Sequence, residues 1–314
     1  MNTMIDLCAG TGAFTIAFSQ VGYKCVFSND YCKNSKKIYD ANCEDTQTFG
    51  DLHDTATEDL PNFDILTSGF PCQPFSISGK REGFNDDRSN IFWKIIDIVK
   101  SKNPKCILLE NVKNLVGHDN GRTFDVIKTN LEECGYNIVH RVLDTSKITG
   151  IPHHRERIYI VCFRKDIVFD RDNILKFDNI QKKDLKYFLQ EGKVDDKYYY
   201  TSKHKVYDKI AETVVDMGYV YQYRRTYVRR NESKVCPTLT ANMGTGGHNV
   251  PIIKDDFGIR KLTPRECFNL QGFEKEYKLT GVCDSGLYKL AGNAVSLNLV
   301  KMIASQIHSV LSSQ

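Results

Sequence analysis

A cysteine flanked by prolines, a glutamate that closes an apolar run, and two arginines separated by a single residue are the groups in this 314-residue chain best suited to chemistry. Cys72 stands in Gly69-Phe70-Pro71-Cys72-Gln73-Pro74-Phe75-Ser76. Pro71 fixes its own φ and Pro74 biases Gln73 away from helix, so the thiol is presented by a stiff backbone. That suits a nucleophile, whose thiolate must be aimed as well as formed. The alternative is a small buried hydrophobe, the usual state of a free cysteine. Glu110 directly follows the apolar residues 106–109, and a carboxylate is seldom placed there without a task or a partner. Arg155 and Arg157, two apart, project to one side of an extended segment. The neighbouring His153 and His154 lack Asp or Cys at ligand spacing, so no metal site is expected.

Positioning these groups calls for strands whose carboxyl ends share a rim. Residues 3–9 are apolar and run through Gly10-Thr11-Gly12-Ala13 into a helix at 14–21, the first unit of a Rossmann-like half. Ala13 departs from a phosphate-binding fingerprint. A second strand, 24–29, ends at Asp30 and Tyr31, where a carboxylate can accept from two ribose hydroxyls and a ring can lie on adenine. Asp51, beside Leu52, can reach the same adenine's amine, although helix capping is the common use of an isolated aspartate. Residues 63–67 form a short buried strand that sets Cys72 at its carboxyl end, where open α/β sheets bind ligands. The polar segment 76–88 reads as a long lid or binding loop. Helices at 91–99 and 123–134 and strands at 106–109, 137–143 and 158–163 continue the alternation.

From about Lys165 that alternation stops, and the chain becomes polar and tyrosine-rich. This predicts an α/β Rossmann-like sheet domain from residues 1–165 and 284–314, with a smaller domain at 166–283. In the latter, Arg224, Arg225, Arg229 and Arg230 are interleaved with Tyr221, Tyr223 and Tyr227, a mixture that pairs phosphates and contacts bases or simply forms a solvated strand face. The glycine-rich run 236–249 can press its backbone against an extended ligand. Hydrophobic residues at 41%, charged residues at 26% and a net charge of +4 describe a globular protein that permits a nucleic-acid partner without requiring one. No apolar run of membrane-helix length and no leader are evident, and eleven cysteines without C-x-x-C pairs indicate a reducing, cytoplasmic setting.

The ordered set Asp6–Phe14, Gly69–Ser76, Glu110-Asn111-Val112, Arg155-Glu156-Arg157, Leu262–Gly272 and Gly292-Asn293-Ala294-Val295 resembles the C5-cytosine-specific DNA methyltransferases, and the compact modification enzymes closely. The resemblance spans nearly the whole chain. It implies a SAM-dependent methyltransferase sheet beside a target-recognition domain, double-stranded DNA as substrate, S-adenosyl-L-methionine as cofactor, a monomer, and a cognate restriction endonuclease acting on the same site. Cys72 would add to carbon 6 of a flipped-out cytosine, Glu110 would hold N3, Arg157 would bind O2, and Arg155 would support the loop or a phosphate. The cofactor would lie against Asp6, Ala9, Gly10, Thr11, Gly12 and Phe14, with Asp30, Tyr31, Asp51, Leu52, Pro71, Asn293 and Val295 around it. Gln73, Ser76 and Ser78 on the loop, and Gln222, Arg225, Tyr227 and Thr238 beyond it, would meet DNA. Two departures stand out: Cys8 replaces a usual aromatic residue, and His153 a usual glutamine. Transfer-RNA methylation, a non-catalytic DNA-binding regulator and a Rossmann oxidoreductase are the competing readings.

Overall fold

The computed structural model describes residues 2–71, 90–224, 226–244 and 250–314. Cys72, Gln73, Ser76, Ser78 and Arg225 lie outside the described residues. The chain forms two compact units: residues 1–143, 156–177 and 299–314, and residues 144–155 and 178–298. Residues 144–155 and 284–298, which the sequence reading groups with the sheet domain, belong to the second unit.

The first unit is built on β1 (Asn2–Leu7), α1 (Ala13–Ser19), β2 (Tyr23–Asp30), α2 (Lys33–Asp40), β3 (Thr48–Phe49), β4 (Ile65–Ser68), α3 (Asn90–Lys102), β5 (Cys106–Val112), α4 (Arg122–Glu133), β6 (Tyr136–Asp144) and β7 (Glu156–Arg164). Its seven strands run in the order β3-β2-β1-β4-β5-β7-β6. Pairing from β3 through β5 is parallel, and β7 returns antiparallel beside β5. The expected α/β sheet is therefore present. Ile65, Leu66, Ile107, Leu109, Ile158 and Ile160 are almost fully buried, as strands covered on both faces must be. Between β1 and α1 the backbone turns through left-handed conformations at Cys8 (φ 53°), Gly10 (φ 55°) and Gly12 (φ 79°). Gly12 is also sterically required: a Cβ there would stand 2.6 Å from Cys43 Sγ.

The second unit contains α5 (Thr145–Ile148), α6 (Tyr207–Thr213), β8 (Val220–Arg224), β9 (Tyr227–Asn231), β10 (Ile252–Asp255), β11 (Gly258–Lys261), α7 (Pro264–Leu270) and α8 (Asp284–Asn293). Its described sheet has the order β11-β10-β8-β9 and pairs antiparallel. α7 starts as its sequence predicts, with Pro264 in the first turn and a reciprocal capping box between Thr263 and Glu266. Glu266 is fully buried and takes both Nη1 and Nη2 of Arg260 at 2.8 Å. That fork compensates two charges removed from water. The last helix, α9 (Leu297–Ser312), enters the first unit from residue 299. The Asp284–Ser312 span is apolar enough on average to cross a membrane. Its backbone leaves the helix at residues 294–296, however, which divides it into helices of 10 and 16 residues.

Candidate functional site

On the sheet rim, β5 and β7 bring Glu110 and Arg157 together. Glu110 pairs in register with Tyr159 and Val112 with Arg157, so the two side chains are diagonal neighbours on one face. Arg157 Nε lies 3.3 Å from Glu110 Oε1, and both side chains are largely buried. The guanidinium also donates to the Glu156 carbonyl at 2.8 Å, which fixes its plane. Next to Glu110, the buried Asn111 donates from Nδ2 to the carbonyl oxygen of Phe70 at 3.1 Å. Asn111 thus ties β5 to the chain two residues before Cys72. Phe70 is itself buried, with its ring 6.1 Å from that of Phe92.

Arg155 takes a different role from Arg157. It is 2% exposed, and its Nη1 donates to the Gly292 carbonyl at 3.2 Å. This contact holds the carboxyl end of α8, and the side chain does not face solvent. Gly292 is needed where it stands, because a Cβ would lie 2.2 Å from the Thr240 carbonyl carbon. Asn293, which follows, is exposed, and Val295 is half-buried.

A cavity of about 250 Å³ in the first unit is lined by Cys8, Asn29, Asp30, Tyr31, Gly50, Asp51, Leu52, His53, Pro71 and Ile91. It gathers Asp30, Tyr31, Asp51, Leu52 and Pro71 from the expected cofactor set. Asp30 accepts from Gly10 N at 2.8 Å and from Cys32 N at 2.7 Å, so it also shapes the glycine turn. Burial raises its pKa against the lowering effect of those backbone bonds. Asp51 accepts from the backbone and ring of His53, which hold its pKa below the ordinary carboxylate value. Tyr31 is 75% exposed, and its ring is available as a platform. Burial, with Asp30 second, pushes the Cys8 thiol up to about 12, so it is neutral. Among the described lining residues there are two carboxylates and no lysine or arginine.

Asp6 lies beneath this turn and does not line the cavity. It is fully buried and accepts from Thr15 Oγ1 at 3.0 Å and Thr67 Oγ1 at 2.9 Å. Burial raises its pKa to about 7. Ala9, Thr11 and Phe14 are likewise buried, and Gly10 is half-buried, in or beside the turn. Sequence reasoning missed Asn29, Gly50, His53 and Ile91 as cavity walls. Asn29, Gly50 and His53 each adjoin a residue it did select, which was the available signal.

A larger cleft, about 600 Å³, lies within the second unit. Its walls include His154, Gln222, Arg224, Arg229, Asn231 and Thr238. Strand alternation sorts the arginine cluster: Gln222 pairs opposite Arg229 on the cleft face. Arg230 instead binds Asp216 and Glu232 at 2.5 and 2.8 Å and lies 4.7 Å from the Tyr219 ring. Tyr227 is 58% exposed and does not line the cleft. The Thr238 hydroxyl donates to the His154 carbonyl at 2.7 Å. His153 is buried, accepting from Leu239 N at Nε2 (3.2 Å) and donating from Nδ1 to the Leu270 carbonyl (3.1 Å). One donor and one acceptor are what a glutamine amide would also supply there.

Residues 2–309 match the family model described as C-5 cytosine-specific DNA methylase. The chain is 45% identical to the Type II methyltransferase M.Bsp6I of Bacillus sp. (strain RFL6), over 98% of this chain and 99% of that protein. It is 37% identical to the Type II methyltransferase M.HhaI of Haemophilus parahaemolyticus, over 98% and 94%. The fold is similar to that of the S. pombe Dnmt2 methyltransferase, with a TM-score of 0.78, 20% identity, and coverage of 100% and 99%.

Proposed function

Because this chain belongs to the C-5 cytosine-specific DNA methylase family and is a DNA (cytosine-5-)-methyltransferase, we propose that it takes its methyl group from S-adenosyl-L-methionine and uses Cys72 as a covalent nucleophile. The observation that carries this reading is the rim itself. Glu110, paired with Arg157, stands beside Asn111, which grips the backbone two residues before Cys72.

Carbon 5 of cytosine is a poor nucleophile. Addition of the Cys72 thiolate to carbon 6 turns the ring into an enamine-like species, with charge developing toward N3 and O2. Glu110 holds N3 and the exocyclic amine, and Arg157 holds O2, so that charge develops against groups already in place. S-adenosyl-L-methionine supplies an electrophilic methyl on a sulfonium. Asp30 takes the ribose, Tyr31 and Leu52 flank the adenine, and Asp51 meets its amine. The two carboxylates among the cavity's described lining residues support this assignment. Loss of the carbon 5 proton and elimination of Cys72 restore the enzyme. The target base must leave the duplex to be reached.

In this reading the first unit carries the chemistry and the second reads the target, with Gln222, Arg224, Arg229 and Thr238 as its described cleft residues. Gln73, Ser76, Ser78, Arg225 and Tyr227 are the further candidates for DNA contact, and Asn293 and Val295 the further candidates for cofactor contact. The enzyme acts as a monomer, and its likeness to Type II methyltransferases supports a paired endonuclease of the same specificity. Incubation with methyl-tritiated S-adenosylmethionine and duplex DNA, followed by nucleoside analysis, tests the reaction. Label in 5-methylcytosine is expected, and an unlabelled duplex overturns the cofactor assignment.

A further inference from the structure

We propose that His53 is a positioning residue for Asp51, fixing the carboxylate so that the first unit's cavity selects a purine with a 6-amino group. This rests on the assignment of that cavity to S-adenosyl-L-methionine, and deepens it. His53 lines the cavity together with Asp51 and Leu52. Asp51 caps the short 3-10 turn Leu52–Asp54, its side chain accepting from His53 N at 3.0 Å. A cap of this kind needs one bond, which leaves the carboxylate plane free to rotate. Here a second bond is added. The same Oδ1 accepts from the His53 ring at Nδ1, 2.7 Å away.

The backbone bond first, and the ring bond second, hold the Asp51 pKa below the ordinary carboxylate value. An ionised carboxylate only accepts, so the hydrogen of the ring contact sits on Nδ1. Because both bonds fall on Oδ1, Oδ2 is left as an acceptor with no bond to any described residue. The residue before Asp51 is pinned as well. Asn29 donates from Nδ2 to the Gly50 carbonyl at 3.2 Å, and Gly50 N donates to the Asp30 carbonyl at 3.2 Å. The carboxylate is thus held from the chain side by Gly50 and from the turn side by His53. An adenine 6-amino group donates to such an oxygen, whereas the 6-oxo group of hypoxanthine accepts and is repelled by it. Discrimination of this kind needs the oxygen fixed, since a carboxylate free to turn away would let water meet the oxo group. Asp51 supplies the acceptor, and His53 supplies its aim.

The test measures binding of S-adenosylhomocysteine and of S-inosylhomocysteine to the whole protein by isothermal titration calorimetry. Wild type should prefer the adenosyl ligand by at least about tenfold, the worth of one hydrogen bond to a charged group. Asp51→Ala should bring the two ligands within about threefold of each other. His53→Ala should also lose most of the preference, by weakening the adenosyl ligand and not the inosyl one. His53→Asn carries an amide donor where the ring has Nδ1 and should restore most of the preference. If Asp51→Ala loses the preference but His53→Ala keeps it, the role of His53 is overturned while the cavity assignment stands. A preference lost equally in His53→Ala and His53→Asn would assign the effect to ring packing and overturn the Nδ1 bond. If wild type binds neither ligand, or Asp51→Ala discriminates as wild type does, the cavity reading fails and takes the inference with it.

Discussion

Glu110 and Arg157 are diagonal neighbours on two antiparallel strands, with Nε 3.3 Å from Oε1 in a largely buried pair. On the proposed mechanism, a carboxylate held this way meets the target base with its orientation already set. Glu110→Gln keeps the shape and removes the charge. Single-turnover methyl transfer should fall by about 10²- to 10⁴-fold, the usual worth of a positioned acid–base group. Duplex affinity should stay within about threefold of wild type, since the pair is not a phosphate contact. Unchanged turnover would remove Glu110 from the chemistry.

The Asn111 bond to the Phe70 carbonyl predicts a positioning effect on Cys72. Asn111→Asp loses the donor at nearly constant size. The rate of attack on cytosine should drop by at least about tenfold, because small misplacements of a nucleophile are costly. KM for S-adenosylmethionine should not move. An equal loss in both parameters would indicate general unfolding of the rim.

Asp30 serves the turn and the proposed ribose site with one carboxylate. Asp30→Ala should weaken S-adenosylmethionine binding by more than about tenfold, which is about 1.4 kcal/mol. Asp30→Asn retains an acceptor and should fall between the two. Isothermal titration calorimetry measures both. Equal affinity in all three proteins would place the ribose elsewhere.

Asp6 predicts a stability effect with a defined sign. Burial raises its folded pKa from an ordinary 3.8 to about 7. Between those values the native state holds a proton that the unfolded chain has lost. The contribution is complete below about pH 4 and is lost as pH rises toward 7, at up to about 1.4 kcal/mol per pH unit. Urea denaturation should show wild type losing stability across this window and Asp6→Asn losing less. Parallel profiles would contradict the assignment.

Much of the candidate site's geometry was legible because it sits at strand ends marked by glycine, proline or a break in apolar character. Gly10, Gly12, Asp30 and Glu110 all announce themselves in this way. The role of Asp6 was not legible, because its partners Thr15 and Thr67 are 9 and 61 positions away. The arginine cluster looked uniform until strand pairing sent Arg229 to the cleft and Arg230 to Asp216 and Glu232. Unit boundaries were obscured for a similar reason. His153 and Arg155 join the second unit through Leu270 and Gly292, partners 117 and 137 positions distant. No local pattern encodes contacts of that range.

The most direct test of the covalent mechanism uses duplex DNA in which the target cytosine is 5-fluorocytosine, incubated with S-adenosylmethionine. Fluorine cannot depart as the carbon 5 proton does, so the thiolate stays bonded to carbon 6. The account predicts a denaturation-resistant protein–DNA adduct whose cross-linked peptide contains Cys72, absent in Cys72→Ala. An adduct that persists in Cys72→Ala, or methylation of ordinary duplex by that variant at the wild-type rate, would contradict it.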